Sequence, residues 1–153
     1  MKAIYTTIAV LLLFKAQTQS TYIADSLVGV KQFSKAIDEY NKIIANKNRA
    51  TAIDLANAYL RKGVCYFESG NTNAALQSYF DALPLFEKLG TAERMAATYS
   101  NIANAYYKKS DAELASKYWE LSYNFANQLK DSVRLFKLII EQGLHLFNSG
   151  KVN

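Results

Sequence analysis

A single cysteine in a chain of 153 residues leaves nothing for an intramolecular disulfide to join, so this is not a small fold stapled by sulfur. Cys65 also lacks the signatures that raise thiol reactivity, such as a Cys-x-x-Cys pair or an adjacent histidine, and reads as a packing residue. Histidine is as scarce: His145 stands alone beside Leu144 and Leu146, which excludes a metal site built from several histidines. The 6 glycines never take the clustered spacing that cradles a phosphate. The one proline, Pro84, falls inside an otherwise helical run from Asn73 to Leu89. There it removes a backbone donor and crowds the carbonyl of Phe80, which predicts a kink. Long apolar runs are missing too. The stretch Ile8 to Phe14 is closed by Lys15 and falls well short of the roughly twenty residues needed to cross a bilayer. The net charge of +5 comes without a basic block, and Lys and Arg alternate with Asp and Glu along helix faces, a pattern unlike a surface that tracks phosphates. Carboxylates such as Asp38 with Glu39, or Glu113 with Glu120, are not gathered with a nucleophile. The expectation is no catalytic residue, no metal, no cofactor, no small-molecule substrate and no nucleic acid.

What the chain does have is self-similarity. Tyr59-Leu-Arg-Lys-Gly63-Val-Cys-Tyr66 returns as Tyr99-Ser-Asn-Ile-Ala103-Asn-Ala-Tyr106 and, weakened, as Ile139-Ile-Glu-Gln-Gly143-Leu-His-Leu146. Each copy runs into a matching turn: Phe67-Glu-Ser-Gly70-Asn, Tyr107-Lys-Lys-Ser110-Asp and Phe147-Asn-Ser-Gly150-Lys. A constant spacing of 40 residues through a helix and its terminator signals stacked supersecondary units, which present surfaces and seldom carry chemistry. The periodicity within a copy agrees. Met95, Tyr99, Ile102, Ala103 and Tyr106 recur at steps of three and four, as one face of a helix over 94–109. Ser110-Asp111 opens a second helix over 111–130, whose stripe is Leu114, Ala115, Tyr118, Trp119, Tyr123 and Ala126. Two such stripes must cover each other, which predicts antiparallel hairpins. Gly70, Gly90 and Gly150 sit where the chain reverses and a positive φ is wanted.

Downstream of each first helix lies Ala75-x3-Tyr79-x2-Ala82, then Ala115-x3-Trp119-x2-Ser122. With Tyr59, Gly63 and Tyr66, this pattern resembles the tetratricopeptide repeat, in which an aromatic, a Gly, a Tyr and an Ala-x3-aromatic recur at set positions. Lys62 stands where that family usually has Leu. An earlier copy carries Phe33-Ser-Lys-Ala36-Ile-Asp-Glu-Tyr40-x2-Ile43 as its second helix, with a short first helix around Tyr22 to Val28. The resemblance implies an all-α, right-handed α-solenoid of antiparallel helix hairpins over 21–153, in units of about 21–50, 51–90, 91–130 and an incomplete 131–153.

Such an array recognises a protein or peptide in a concave groove lined by its first helices. Carried over by position, the family's usual contact sites fall on Asn57, Leu60, Val64, Phe67, Ser100, Asn104, Tyr107, Lys108, Lys137 and Phe147. Phe67, Tyr107 and Phe147 repeat at the unit spacing and would form an aromatic row or pack between hairpins. Asn104 and Lys108, one turn apart, would hold a peptide backbone and a carboxylate.

The segment before the repeats has another character. Lys2, the apolar stretch 8–14 and the polar Gln17-Thr-Gln-Ser20 make residues 1–20 look like a secretory signal peptide, with an uncleaved anchor as the alternative. Its removal takes two lysines and no acid, which lowers the net charge from +5 to +3. The chain is thus expected to be exported, in the periplasm or at the cell envelope, and to meet the membrane only through a retained leader or a further C-terminal part. A first helix over 133–148 without its partner suggests a piece of a longer protein. Exported arrays of this kind resemble the sensory input regions of membrane-bound histidine kinases or helix-turn-helix regulators, which is the alternative functional expectation.

Overall fold

The structure, a computed structural model, describes residues 20–48 and 50–129. The leader up to residue 19 and the fourth unit, with Lys137, His145, Phe147 and Gly150, lie outside the described residues. Within them are six helices and no strand: α1 over 20–29, α2 Phe33–Ala45, α3 Ala52–Glu68, α4 Thr72–Lys88, α5 Ala92–Lys108 and α6 Ala112–Gln128. The last four have 17 residues each, and α5 begins 40 residues after α3, as α6 does after α4. None of the described helices is long and apolar enough to cross a membrane.

Each helix ends by local chemistry. After α3, Asn71 N–H donates to Tyr66 O at 2.8 Å and Gly70 N–H to Phe67 O at 3.1 Å, with Gly70 at φ 87°. The same double bond with a left-handed residue closes α4 at Gly90, α5 at Ser110 and α1 at Lys31, so one terminator is used four times. Three starts are capped by side chains: Thr51 accepts from Asp54 N–H at 3.2 Å, Asn71 from Ala74 N–H at 3.2 Å and Asp111 from Leu114 N–H at 3.1 Å, whereas Gln32 before α2 and Thr91 before α5 make no such bond. Pro84 lies inside α4, which continues past it to Lys88.

The described chain divides into two compact units at Leu85/Phe86. In the first, Ala24 of α1, Ala36, Tyr40 and Ile43 of α2, and Ala58 and Cys65 of α3 form one buried cluster. Small residues set the helix approach: a Cβ on Gly63 would sit 2.5 Å from Cδ1 of Tyr79 and 3.2 Å from the carbonyl of Ala75, so α3 and α4 touch through backbone and ring. In the second unit, Ala96 and Ala103 of α5 meet Ala115, Trp119 and Ala126 of α6. The cross-helix ring pairs Tyr99 with Phe125 and Tyr106 with Tyr118 run in opposite directions along the two helices, as in an antiparallel hairpin. One sequence-stripe assignment is corrected. Tyr123 is 37% exposed, and the neighbouring Ser122 is the buried residue, its hydroxyl donating to Ala96 O at 2.7 Å. Hydrophobicity patterns misplace Ser122 because its polarity is absorbed by that bond.

Candidate functional site

On α5, Ser100, Asn104, Tyr107 and Lys108 follow at helical steps and share one face. Ser100 and Asn104 are half-buried, Lys108 is exposed and Tyr107 is 39% exposed. Both Asn104 and Tyr107 rest on Trp119 of α6, itself only 2% exposed. The indole N–H donates to Asn104 Oδ1 at 3.2 Å, and the Tyr107 ring lies 5.9 Å from the indole at an interplanar angle of 46°. With its oxygen engaged, Asn104 presents its Nδ2 amide as a donor. The sequence shows Trp119 as part of an apolar stripe and as the aromatic of the repeat signature; that its N–H orients Asn104 is invisible to periodicity.

On α3 the expected residues separate. Leu60 is 6% exposed and lies on the buried stripe of Ala56 and Gly63, at steps of four and three, so its assignment to a partner surface is corrected. Val64 and Phe67 are half-buried. Asn57 is half-buried with its Oδ1 enclosed and without a hydrogen-bond partner. Lys137 and Phe147 lie outside the described residues, so of the anticipated aromatic row only Phe67 and Tyr107 are described, one in each unit.

The first unit holds a polar cluster that the sequence pattern does not announce. Tyr40 O–H donates to Asp25 Oδ1 at 2.7 Å, and the Arg61 guanidinium lies 3.0 Å from the same oxygen, which ties α1, α2 and α3 together. Burial and the Asp25 bond push the Tyr40 phenol up. Lys62 points its ammonium 3.4 Å from Asn41 Oδ1 and 5.3 Å from the centre of the Tyr59 ring. Burial lowers its pKa, and the Asp81 carboxylate opposes that. An apolar Leu position is thus filled by a lysine whose stem packs while its head finds an amide and a ring. Burial pushes the Cys65 thiol up to about 11, as befits a core residue. Among the described residues no three His, Cys, Asp or Glu side chains are grouped to hold a metal ion.

Together the hairpins, their spacing and the small-to-aromatic contacts define an all-α helical repeat of the tetratricopeptide type. No protein-family model and no curated protein matches the sequence. Solved structures do match. BtubC (BKLC) from P. vanneervenii superposes with a TM-score of 0.75 at 20% identity, over 96% of this chain and 59% of that one. The N-terminal domain of stress-induced protein-1 (STI-1) from C. elegans gives 0.66 at 20% identity, over 82% of this chain and 94% of that one. The TPR domain of Arabidopsis FLU gives 0.68 at 15% identity, over 78% and 99%. The likeness is one of fold.

Proposed function

We propose that this chain is a non-catalytic scaffold that binds a protein or peptide through the exposed faces of its first helices, with the α5 face of Ser100, Asn104, Tyr107 and Lys108 as its centre. The observation that carries the reading is the buried Trp119, which fixes an amide and an aromatic ring on a surface helix before any ligand arrives. Pre-set side chains of this kind lower the ordering cost of binding. Because Asn104 offers a donor and Lys108 a cation one turn on, the fitting ligand atom is a carbonyl or carboxylate oxygen, with an apolar side chain lying against Tyr107. Val64 and Phe67 of α3 supply apolar contact in the first unit. The leader pattern at 1–20 supports an exported, envelope location for this scaffold.

Selection of short displayed peptides against the full chain tests the proposal. Enriched peptides should carry an acidic or C-terminal carboxylate and lose about tenfold or more in affinity on Asn104→Ala, the usual cost of a hydrogen bond to a charged group. Tyr107→Ala should weaken the same peptides. Ligands that tolerate both substitutions unchanged would remove the α5 face from consideration.

A further inference from the structure

Lys62 is where the chain departs from the repeat pattern, and the departure has chemical content. Every other lysine among the described residues is exposed, whereas Lys62 is half-buried. A lysine drawn out of water ordinarily takes a carboxylate with it. Lys62 has none. Among the described residues the ion pairs are Lys42 with Glu39 and Arg61 with Asp25, and no acid lies at that distance from the Lys62 ammonium. Its surroundings come from three helices of the first unit. Asn41 of α2 accepts one N–H at 3.4 Å, long for such a bond, and the centre of the Tyr59 ring of α3 is 5.3 Å away. Asp81 of α4 attracts the ammonium from farther off, while its own Oδ1 accepts from Gln77 Nε2 at 3.0 Å.

One long bond for three N–H donors is a poor replacement for water. Burial accordingly favours the uncharged amine, with the Asp81 carboxylate opposing it. An uncharged amine is a nucleophile, and this one stays at the surface, where its bond to Asn41 lies. We propose that Lys62 is a modification site, acylated at Nζ by an acyl phosphate. The nitrogen lone pair attacks the carbonyl carbon, the bond from that carbon to the phosphate oxygen breaks, inorganic phosphate leaves with the electron pair, and the surplus proton on nitrogen goes to water. The surroundings suit the product. An amide N–H remains for Asn41 Oδ1, the acyl group lies against the Tyr59 ring, and Asp81 keeps its bond from Gln77. What is removed is a single positive charge that the fold holds partly out of water. The inference concerns the first unit and is independent of the peptide-binding face on α5.

Competition between lysines tests this. The full chain is treated with acetyl phosphate, once folded and once in guanidinium chloride, and acetylation at each lysine is followed by peptide mass spectrometry. The folded-to-unfolded rate ratio of Lys62, divided by that of the exposed Lys35 and Lys117, should exceed unity severalfold, because only the folded chain withdraws this amine from water. Asp81→Asn removes the opposing carboxylate and should raise that ratio further, a response that a merely packed lysine would not give. A chain acetylated at Lys62 should unfold at the same denaturant concentration as the unmodified chain or at a higher one, since no charge then has to be desolvated. A ratio at or below unity, no gain in Asp81→Asn, or a lower unfolding midpoint for the acetylated chain would each overturn the proposal.

Discussion

At position 63 there is no room for a single added carbon. The Tyr79 ring that would be struck is 1% exposed and the other neighbour is backbone, so neither yields cheaply. Gly63→Ala gains helix propensity of about 1 kcal/mol but overpacks the α3–α4 contact, and a net loss of about 1–2 kcal/mol is expected from urea unfolding. Ser110 presents the reverse case. It holds φ 62° at the point in the turn where Gly70 and Gly90 sit in theirs, a conformation that an L side chain adopts only at a cost. Ser110→Gly should raise stability by about 0.5–1 kcal/mol, and a lower unfolding midpoint would refute that account of the turn. Cys65 supplies the pH dependence. Its folded pKa is raised to about 11 from an ordinary 9.0, so the stability tied to it is complete below pH 9 and is lost as pH rises through 11. Tyr40 and Tyr79, also raised by burial, act in the same direction at higher pH. The urea midpoint should therefore fall on titration from pH 8 to 11, and less steeply in Cys65→Ala, where about 2–3 kcal/mol of that pH dependence is absent.

At the scale of elements, most of the architecture was legible because it depends on positions and sizes. Spacing by three and four places Ile102, Ala103, Ala115, Trp119 and Ala126 in the interior, where they are found. Gly70 and Gly90 mark helix ends because no other residue takes positive φ freely; Ser110 is placed in its turn only by the repeat alignment, and Lys31 performs the same task with no signal in the sequence. Leu60 and Tyr123 went the other way round: Leu60, carried over by position from the family's contact sites, is inside, and Tyr123 is outside because a stripe read from sequence does not say how wide the covering partner is. The candidate site was legible as positions on α5 and illegible as chemistry: the bond from Trp119 to Asn104 joins residues 15 apart on two helices. That bond makes a prediction. Trp119→Phe keeps an aromatic ring, though a smaller one, and lets the Asn104 amide rotate, so peptides selected on the wild type should bind about three- to tenfold more weakly while folding stability falls by about 1–2 kcal/mol. Equal affinity would show that Asn104 needs no orienting. Pro84 bears on α4 alone: it is exposed, and Pro84→Ala restores a donor within an intact helix, so a gain of roughly 2 kcal/mol in unfolding free energy is expected.

For the molecule as a whole, the question is whether its helices stand or fall together. The buried cluster of α1, α2 and α3 and that of α5 and α6 have no residue in common, and the division at Leu85/Phe86 falls within α4. In repeat arrays stability is close to a sum of unit terms and nearest-neighbour terms, so damage to one unit is felt there first. Trp119 is the means of testing this, since it is the largest side chain in its cluster and is 2% exposed. Trp119→Ala removes about 3–5 kcal/mol of packing. If the units respond separately, amide exchange across α5 and α6 should accelerate by about a hundredfold or more, while amides of α2 and α3 change by less than about tenfold. Acceleration by one common factor throughout would mean a single cooperative block, in which case the additive picture fails. The separate outcome has a functional corollary. A ligand held on the α5 face would then protect α5 and α6 selectively, so exchange measured with and without a selected peptide should map the binding face without any substitution.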